Sequence, residues 1–249
     1  MLAFELLGGP VTSELLERTV EQAMSCTTSV ESLLANPPIL DKLTVLMTYH
    51  TNSIEGSTMT LADNQKVILE QKTLRSHSAR EQLEARNHSA ALLWVLDTIA
   101  EGEFSYSEDY ANQLHVRLMN GLVTDSGEYR RHGVRIMGSC VAVANYQKVP
   151  TLMGQLFSKN MPKKLADIAR FHAEFEKIHP YSDGNGRVGR LLVAGLCLQQ
   201  NGTPPIITRQ ARASYYKYLE IAQTKQDFDP LTYLLAREAI ATHRQIETS

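Results

Sequence analysis

The residues best suited to chemistry lie in one short run: His179-Pro180-Tyr181-Ser182-Asp183-Gly184-Asn185-Gly186-Arg187-Val188-Gly189-Arg190. Pro180 disfavours the α region at His179, so a helix arriving from the N-terminal side should end there. Gly184, Asn185 and Gly186 are types that tolerate positive φ, which lets the backbone curl its N–H groups inward. From Arg187 the chain turns apolar and helical through Leu191, Leu192, Val193, Leu196 and Leu198. A curled loop feeding a helix N-terminus leaves unpaired donors and a positive dipole end, the physical recipe for anion binding. Arg187 and Arg190 fall on one face and offer guanidinium forks for phosphate oxygens. Asp183 supplies a hard oxygen for Mg²⁺, and His179 supplies a base near neutral pH. The spacing therefore predicts a site for a polyphosphate with an imidazole at its mouth.

A second stretch is Thr51-Asn52-Ser53-Ile54-Glu55-Gly56, on its own a helix end with a carboxylate. Brought to the cradle, Glu55 would pair with Arg190 and take it from an incoming phosphate. A third stretch, Val134 to Pro150, is rich in Val and small residues. It reads as a short β-hairpin, Val134-Arg135-Ile136 and Val141-Ala142-Val143, with Gly138 and Asn145-Tyr146 as turn points. A sheet edge there would carry unpaired N–H and C=O groups able to register a peptide.

The run from His179 to Arg190 resembles the signature of the Fic family, His-Pro-Phe-x-Asp/Glu-Gly-Asn-Gly-Arg-x-x-Arg, with Tyr181 where the family usually has Phe. Thr51, Glu55 and Gly56 resemble the family's inhibitory motif Ser/Thr-x-x-x-Glu-Gly/Asn. Gly127-Glu128-Tyr129-Arg130 resembles its structural lead-in to the flap. The resemblance implies transfer of AMP from ATP to a Ser, Thr or Tyr hydroxyl of a protein. His179 would be the base and Asp183 the Mg²⁺ ligand, with Gly184, Asn185, Gly186, Arg187 and Arg190 on the phosphates. Glu55, with Thr51 and Gly56, would inhibit within the same chain. The flap, Val134, Arg135, Ile136, Met137 and Gly138, would hold the target, the chain itself included. Tyr215, Tyr216 and Gln223 fall where the family often has aromatics and an amide beside adenine. In some members the glutamate also helps water remove AMP, which keeps reverse chemistry open. Members commonly form dimers, so a homodimer is among the implied partners. The Doc branch, which phosphorylates, replaces both cradle glycines; Gly184 and Gly186 speak for AMP transfer. A rival reading has His172, Glu176, His179 and Asp183 ligating a metal as in a metallohydrolase, against which Pro180 breaks the helix where the ligands must converge.

Composition is that of a globular protein able to bury a sizeable core: 43% hydrophobic, 21% charged, net charge −2. The mixed signs argue against nucleic acid, and no apolar run suggests a membrane span. Three scattered cysteines and no secretory pattern at Met1–Pro10 point to a reducing cytoplasm.

The elements that must position these residues read as nearly all helix with the one hairpin, the all-α Fic fold. Helices are expected over Thr12–Ala35, Ile39–Ser53, Leu61–Thr73, Ser78–Glu101, Ser107–Leu122, Thr151–Phe157, Leu165–Ile178, the cradle helix to Gln200, Arg209–Lys225 and Pro230–Glu247. The organisation expected is an N-terminal helical region, 1–100, carrying the inhibitory segment; a core, 101–202, with flap and cradle; and C-terminal helices, 203–249.

Overall fold

The computed structural model describes residues 11–135 and 141–247. Among these the chain is helical, with eleven α-helices and two short 3₁₀ turns. They are α1 (Ser13–Ser25), α2 (Val30–Leu34), α3 (Pro37–Ile54), α4 (Leu61–Ile68), α5 (Ala79–Ala100), α6 (Glu108–Met119), α7 (Val149–Phe157), α8 (Leu165–Ile178), α9 (Asn185–Leu198), α10 (Arg212–Lys225) and α11 (Asp229–Glu247).

Local chemistry starts most of them where the sequence signals. Thr60 with Asp63, and Ser78 with Glu81, form reciprocal capping boxes at α4 and α5. Asn36 caps α3, with Pro37 and Pro38 in the first turn, where a missing N–H costs nothing.

The helix that carries the cradle is the centre of the molecule. Every residue of α9 but Gly186 is buried. It packs on α3, α5, α6 and α8, and its Val188, Leu191, Leu192 and Leu196 join one hydrophobic core running from Val30 to Ile246. From Leu191 onward the helix is apolar on all sides and has to be surrounded in this way. The first and last described helices meet, α1 lying along α11.

The structure departs from the expected pattern in several places. The first helix breaks at Cys26, because Thr27 bridges to Gly202 and Thr28 bonds Asn201 and Thr203; Ser29 then caps α2. The third helix stops at Ile68, with Gln71 at φ 53° soon after. The sixth, α7, starts two residues early, taking Val149 and Pro150 into its first turn. Finally, no strand is assigned to Val134, Arg135 or 141–143, although a hairpin was expected there. A lone two-stranded ribbon has no third strand to lean on. The returning arm is tied instead to the helical body: the Ala144 N–H donates to the Lys177 carbonyl (3.1 Å). Ile136, Met137 and Gly138 lie outside the described residues.

Candidate functional site

The loop between α8 and α9 is fixed at both ends. His179 caps α8 in the left-handed conformation (φ 52°, ψ 63°), uncommon for a non-glycine residue; Pro180 at the next position disfavours continuing the helix. Its N–H donates to the Phe175 carbonyl (2.9 Å). Its own carbonyl accepts from Arg130 Nε (2.7 Å). The rest of the buried Arg130 guanidinium donates to the carbonyls of His132, Ala144 and Ile178, and its backbone N–H to Pro180. One arginine thus joins the end of α8, the loop and both described arms of the expected flap.

Tyr181 lies wholly inside, its ring stacked on His115 (3.8 Å between centroids, 5° between planes) and its hydroxyl donating to Asn112 (2.9 Å). His115 Nδ1 accepts from the Gly127 N–H (2.7 Å), so the proton sits on Nε2, which donates to the Asp183 carbonyl (3.1 Å). Burial pushes the His115 pKa down to about 4 and keeps the ring neutral. Asn185 spends its side chain closing the loop, accepting from the Tyr181 N–H (2.8 Å) and donating to the Tyr181 carbonyl (2.9 Å). The amide expected to help neutralise phosphate is therefore a loop clasp.

Gly184, at φ 79°, opens α9 with no side-chain cap. The first N–H groups of α9 have no acceptor within the helix, which keeps them available to an anion. A Cβ at Gly184 would meet Met119 Sδ at 2.7 Å. One at Gly186 would lie 2.6 Å from Glu55 Oε1 and 2.9 Å from Arg190 Nη1. The second glycine is thus there for close approach, since its φ is ordinary.

Glu55 caps the end of α3 and reaches the same place. Arg190 Nη2 donates to Glu55 Oε1 (2.5 Å), and Arg190 Nε to Thr51 Oγ1 (2.6 Å). Burial works against the Arg190 charge. The Glu55 carboxylate outweighs it, and the guanidinium is held protonated more firmly than usual. Gly56, at φ 105°, ends the segment. Arg212, from α10, donates to the Ile54 carbonyl (2.9 Å) and secures the same helix end.

Arg187 is turned to another partner set. Its Nη2 donates to Asp183 Oδ1 (3.2 Å), and its Nη1 lies 3.3 Å from Glu84 Oε1. Arg80 closes the ring, donating to Glu84 Oε1 (3.1 Å) and Asp183 Oδ2 (2.9 Å). Asp183 remains 44% exposed at the mouth of the cradle. A half-exposed carboxylate beside an uncapped helix N-terminus fits a hard divalent cation better than a core anchor would.

His179 sits at the opening with its side chain 18% exposed. Burial lowers its pKa to about 4, so its imidazole is neutral and able to accept a proton at pH 7. The aromatic pair on α10 is split. Tyr215 is buried, its hydroxyl 2.8 Å from His172 Nε2, whereas Tyr216 is half-buried beside Arg212. Gln223 is buried and donates to the Ala173 carbonyl (3.1 Å), tying α10 to α8. Neither Tyr215 nor Gln223 presents a free edge of the kind expected beside adenine. The rival metal set does not assemble, since His172 is buried and engaged by Tyr215. Among the described residues no group of three or more His, Cys, Asp and Glu could hold a metal ion.

Sequence reasoning missed His115, Arg80, Glu84 and Arg212, and read Arg130 only as part of a lead-in. Arg80 and Glu84 look like any exposed i,i+4 pair on a helix. The buried histidine and the two linking arginines carry no local signal.

The chain is similar to known proteins over most of its length. Residues 105–197 match the Fic/DOC family. Proteins named protein adenylyltransferase Fic from Nematostella vectensis (31% identical over 205 residues) and Aedes aegypti (30% over 197) match 80% and 76% of this chain. The chain spans less than half of either relative, 47% and 38%. Among solved structures, Fic-1 from C. elegans superposes with a TM-score of 0.80 at 20% identity, over 95% of this chain and 73% of that one. A Fic family protein from Desulfovibrio desulfuricans G20 does so at 0.75 and 25% identity, over 97% and 76%. The fold is the helical Fic fold.

Proposed function

We propose that the chain is a protein adenylyltransferase held inactive by its own Glu55. The observation that carries this reading is the Glu55–Arg190 pair lying over Gly186 at the uncapped head of α9. The name that these relatives carry, protein adenylyltransferase, supports the reaction class.

In the open state Arg190 is released to a terminal phosphate of ATP, and Arg187 turns to its neighbour. The N–H groups heading α9 face the developing charge. Asp183 would hold Mg²⁺, which supplies charge neutralisation on the phosphates. A target hydroxyl oxygen attacks the α-phosphorus while its proton passes to His179 Nε2. The new O–P bond forms as the α–β P–O bond breaks, and pyrophosphate leaves. Val134, Arg135 and the arm at 141–144 border the surface where the target backbone would dock. While Glu55 occupies Arg190, the triphosphate cannot take the alignment that in-line attack needs. Buried free thiols at Cys26 and Cys197 suit a reducing cytoplasm, and among the described residues no helix is long and apolar enough to cross a membrane.

The test is incubation with ATP labelled at the α-phosphate. Glu55→Gly should raise protein labelling, the chain's own included, by roughly ten- to a hundredfold, the weight of one charge-assisted hydrogen bond of about 1.5–3 kcal/mol. His179→Ala in that background should abolish it without loss of fold. Flat labelling in Glu55→Gly removes the self-inhibition; undiminished labelling in His179→Ala removes the base.

A further inference from the structure

Directly behind His179 lies a carboxylate that the reaction just described does not use. Glu176, on the last turn of α8, is 6% exposed. Its Oε1 has no hydrogen-bond partner, and its Oε2 is 4.0 Å from His179 Nδ1, which is buried, makes no well-formed hydrogen bond and has only the Glu176 backbone carbonyl as a second acceptor nearby. An unpaired buried carboxyl is costly, and so is an unpaired ring nitrogen. Two such groups facing each other satisfy one another with about 1 Å of side-chain movement.

Neither group can drift far. The backbone of His179 is pinned by Phe175 on one side and Arg130 on the other. Glu176 lies against α9 where Gly189 leaves room: a Cβ at Gly189 would be 2.6 Å from Glu176 Oε1 and 3.0 Å from His172 Cε1. The left-handed turn at His179 brings its ring back over the carboxylate three residues earlier.

We infer that Glu176 is the positioning residue of the candidate base: it accepts the His179 Nδ1 proton, which leaves Nε2 bare toward the target hydroxyl, and it stabilises the imidazolium that forms. The inference rests on the reading of His179 as the base. The physical logic is that of an imidazole whose tautomer is fixed by a buried acid on its far nitrogen.

The charged and titratable groups around Glu176 are His172 and His179 from its own helix and its end, Arg190 from α9, Tyr215 and Tyr216 from α10, and Glu55 from the end of α3. Burial raises the Glu176 pKa to about 7, with Arg190 opposing and Glu55 assisting. His179 lies near 4. The pair therefore takes up one proton near neutrality and a second well below it, as a unit. Lowering pH through 7 protonates the carboxylate, and the negative charge that steadies Nδ1–H and the imidazolium is lost.

The experiment compares Glu176→Gln and Glu176→Asp in the Glu55→Gly background. It uses single-turnover AMP transfer across pH and a ¹⁵N-histidine NMR titration of the same proteins. In the parent, transfer should fall on an acid limb centred near pH 7, and the His179 ring should report the same inflection. Glu176→Gln is isosteric and removes a buried charge, so the fold should hold. It should lower the plateau rate at least tenfold, leave KM for ATP within twofold, and move the limb toward pH 4. Glu176→Asp should recover part of the rate and the upper inflection. An acid limb and a ring inflection that stay put in Glu176→Gln, whatever the rate, overturn the inference and leave Glu176 a filler. If the parent transfers no AMP, the adenylyltransferase reading fails, and the ring titration by itself still decides the role of Glu176.

Discussion

Tyr181 occupies the slot where the family motif usually has Phe, and its extra oxygen is absorbed by one partner, Asn112 Oδ1. The ring is otherwise buried against His115 and Phe175. Burial pushes the phenol pKa well up, so the group is always a neutral donor here. Tyr181→Phe should therefore remove a hydrogen bond and little packing. The expected cost is about 1 kcal/mol, a fall in thermal midpoint of roughly 2–4 °C, with AMP transfer by the Glu55→Gly chain unchanged within twofold. A larger loss of transfer at unchanged stability would assign the hydroxyl a part in the reaction. At this scale the run from His179 to Arg190 was legible because its demands are local: a proline that ends a helix, a glycine at positive φ, charges one turn apart. His115, Arg130 and Arg80 were not, because they act 68, 49 and 103 positions away from their own places in the chain. Nothing near His115 or Arg80 in sequence distinguishes them from ordinary helical residues, and Arg130 stands out only as the last residue of the Gly127–Arg130 lead-in.

At the scale of elements, the inhibitory device we propose is the last turn of α3 rather than Glu55 alone. Arg190 holds it through Thr51 and Glu55, and Arg212 through the Ile54 carbonyl. Yet the same stretch carries buried polar atoms without partners, Ser53 Oγ and both side-chain polar atoms of Asn52. Unsatisfied groups reduce what the docked position gains over a withdrawn one. Arg212→Ala should then loosen the turn while leaving the Glu55–Arg190 pair its own attraction. Labelling from α-labelled ATP should rise by a fewfold, short of the rise in Glu55→Gly, and the double variant should equal Glu55→Gly alone. A double variant more active than Glu55→Gly would mean that Arg212 restrains something besides Glu55. The helix itself was readable from the Asn36-Pro37-Pro38 start and the Gly56 stop. Where element reading failed, long-range pairing was the reason. Thr27 leaves its helix to bridge Gly202, and Ala144 bonds to Lys177 rather than across a ribbon. Periodicity within a window cannot see either partner.

For the molecule as a whole, five of the eight histidines are held below their ordinary pKa by burial: His50, His115 and His179 at about 4, His88 and His172 at about 3. Four of them sit in side-chain or backbone hydrogen bonds that join helices: His50 to Arg209, His88 to Thr48, His115 to Gly127 and Asp183, His172 to Tyr215. In the unfolded chain each titrates near 6.5. Between pH 6.5 and 4 the unfolded state therefore binds more protons than the folded one, and stability must fall as pH falls through that window. Each histidine loses up to about 1.4 kcal/mol per pH unit there. Glu176, raised to about 7, and Glu238, raised by burial, act in the opposite sense. Their folded forms hold a proton that the unfolded carboxyls release above about 4.5, so they add stability as pH drops to that value. Five groups against two leaves a net loss on acidification. The thermal midpoint should drop by roughly 5 °C or more from pH 7 to pH 5, and the urea midpoint should fall with an unchanged m-value. Thermal scans at half-unit steps check this directly. A flat midpoint over that range would mean that the histidines take up protons inside the fold, and the neutral imidazole at His179 would lose its physical basis along with them.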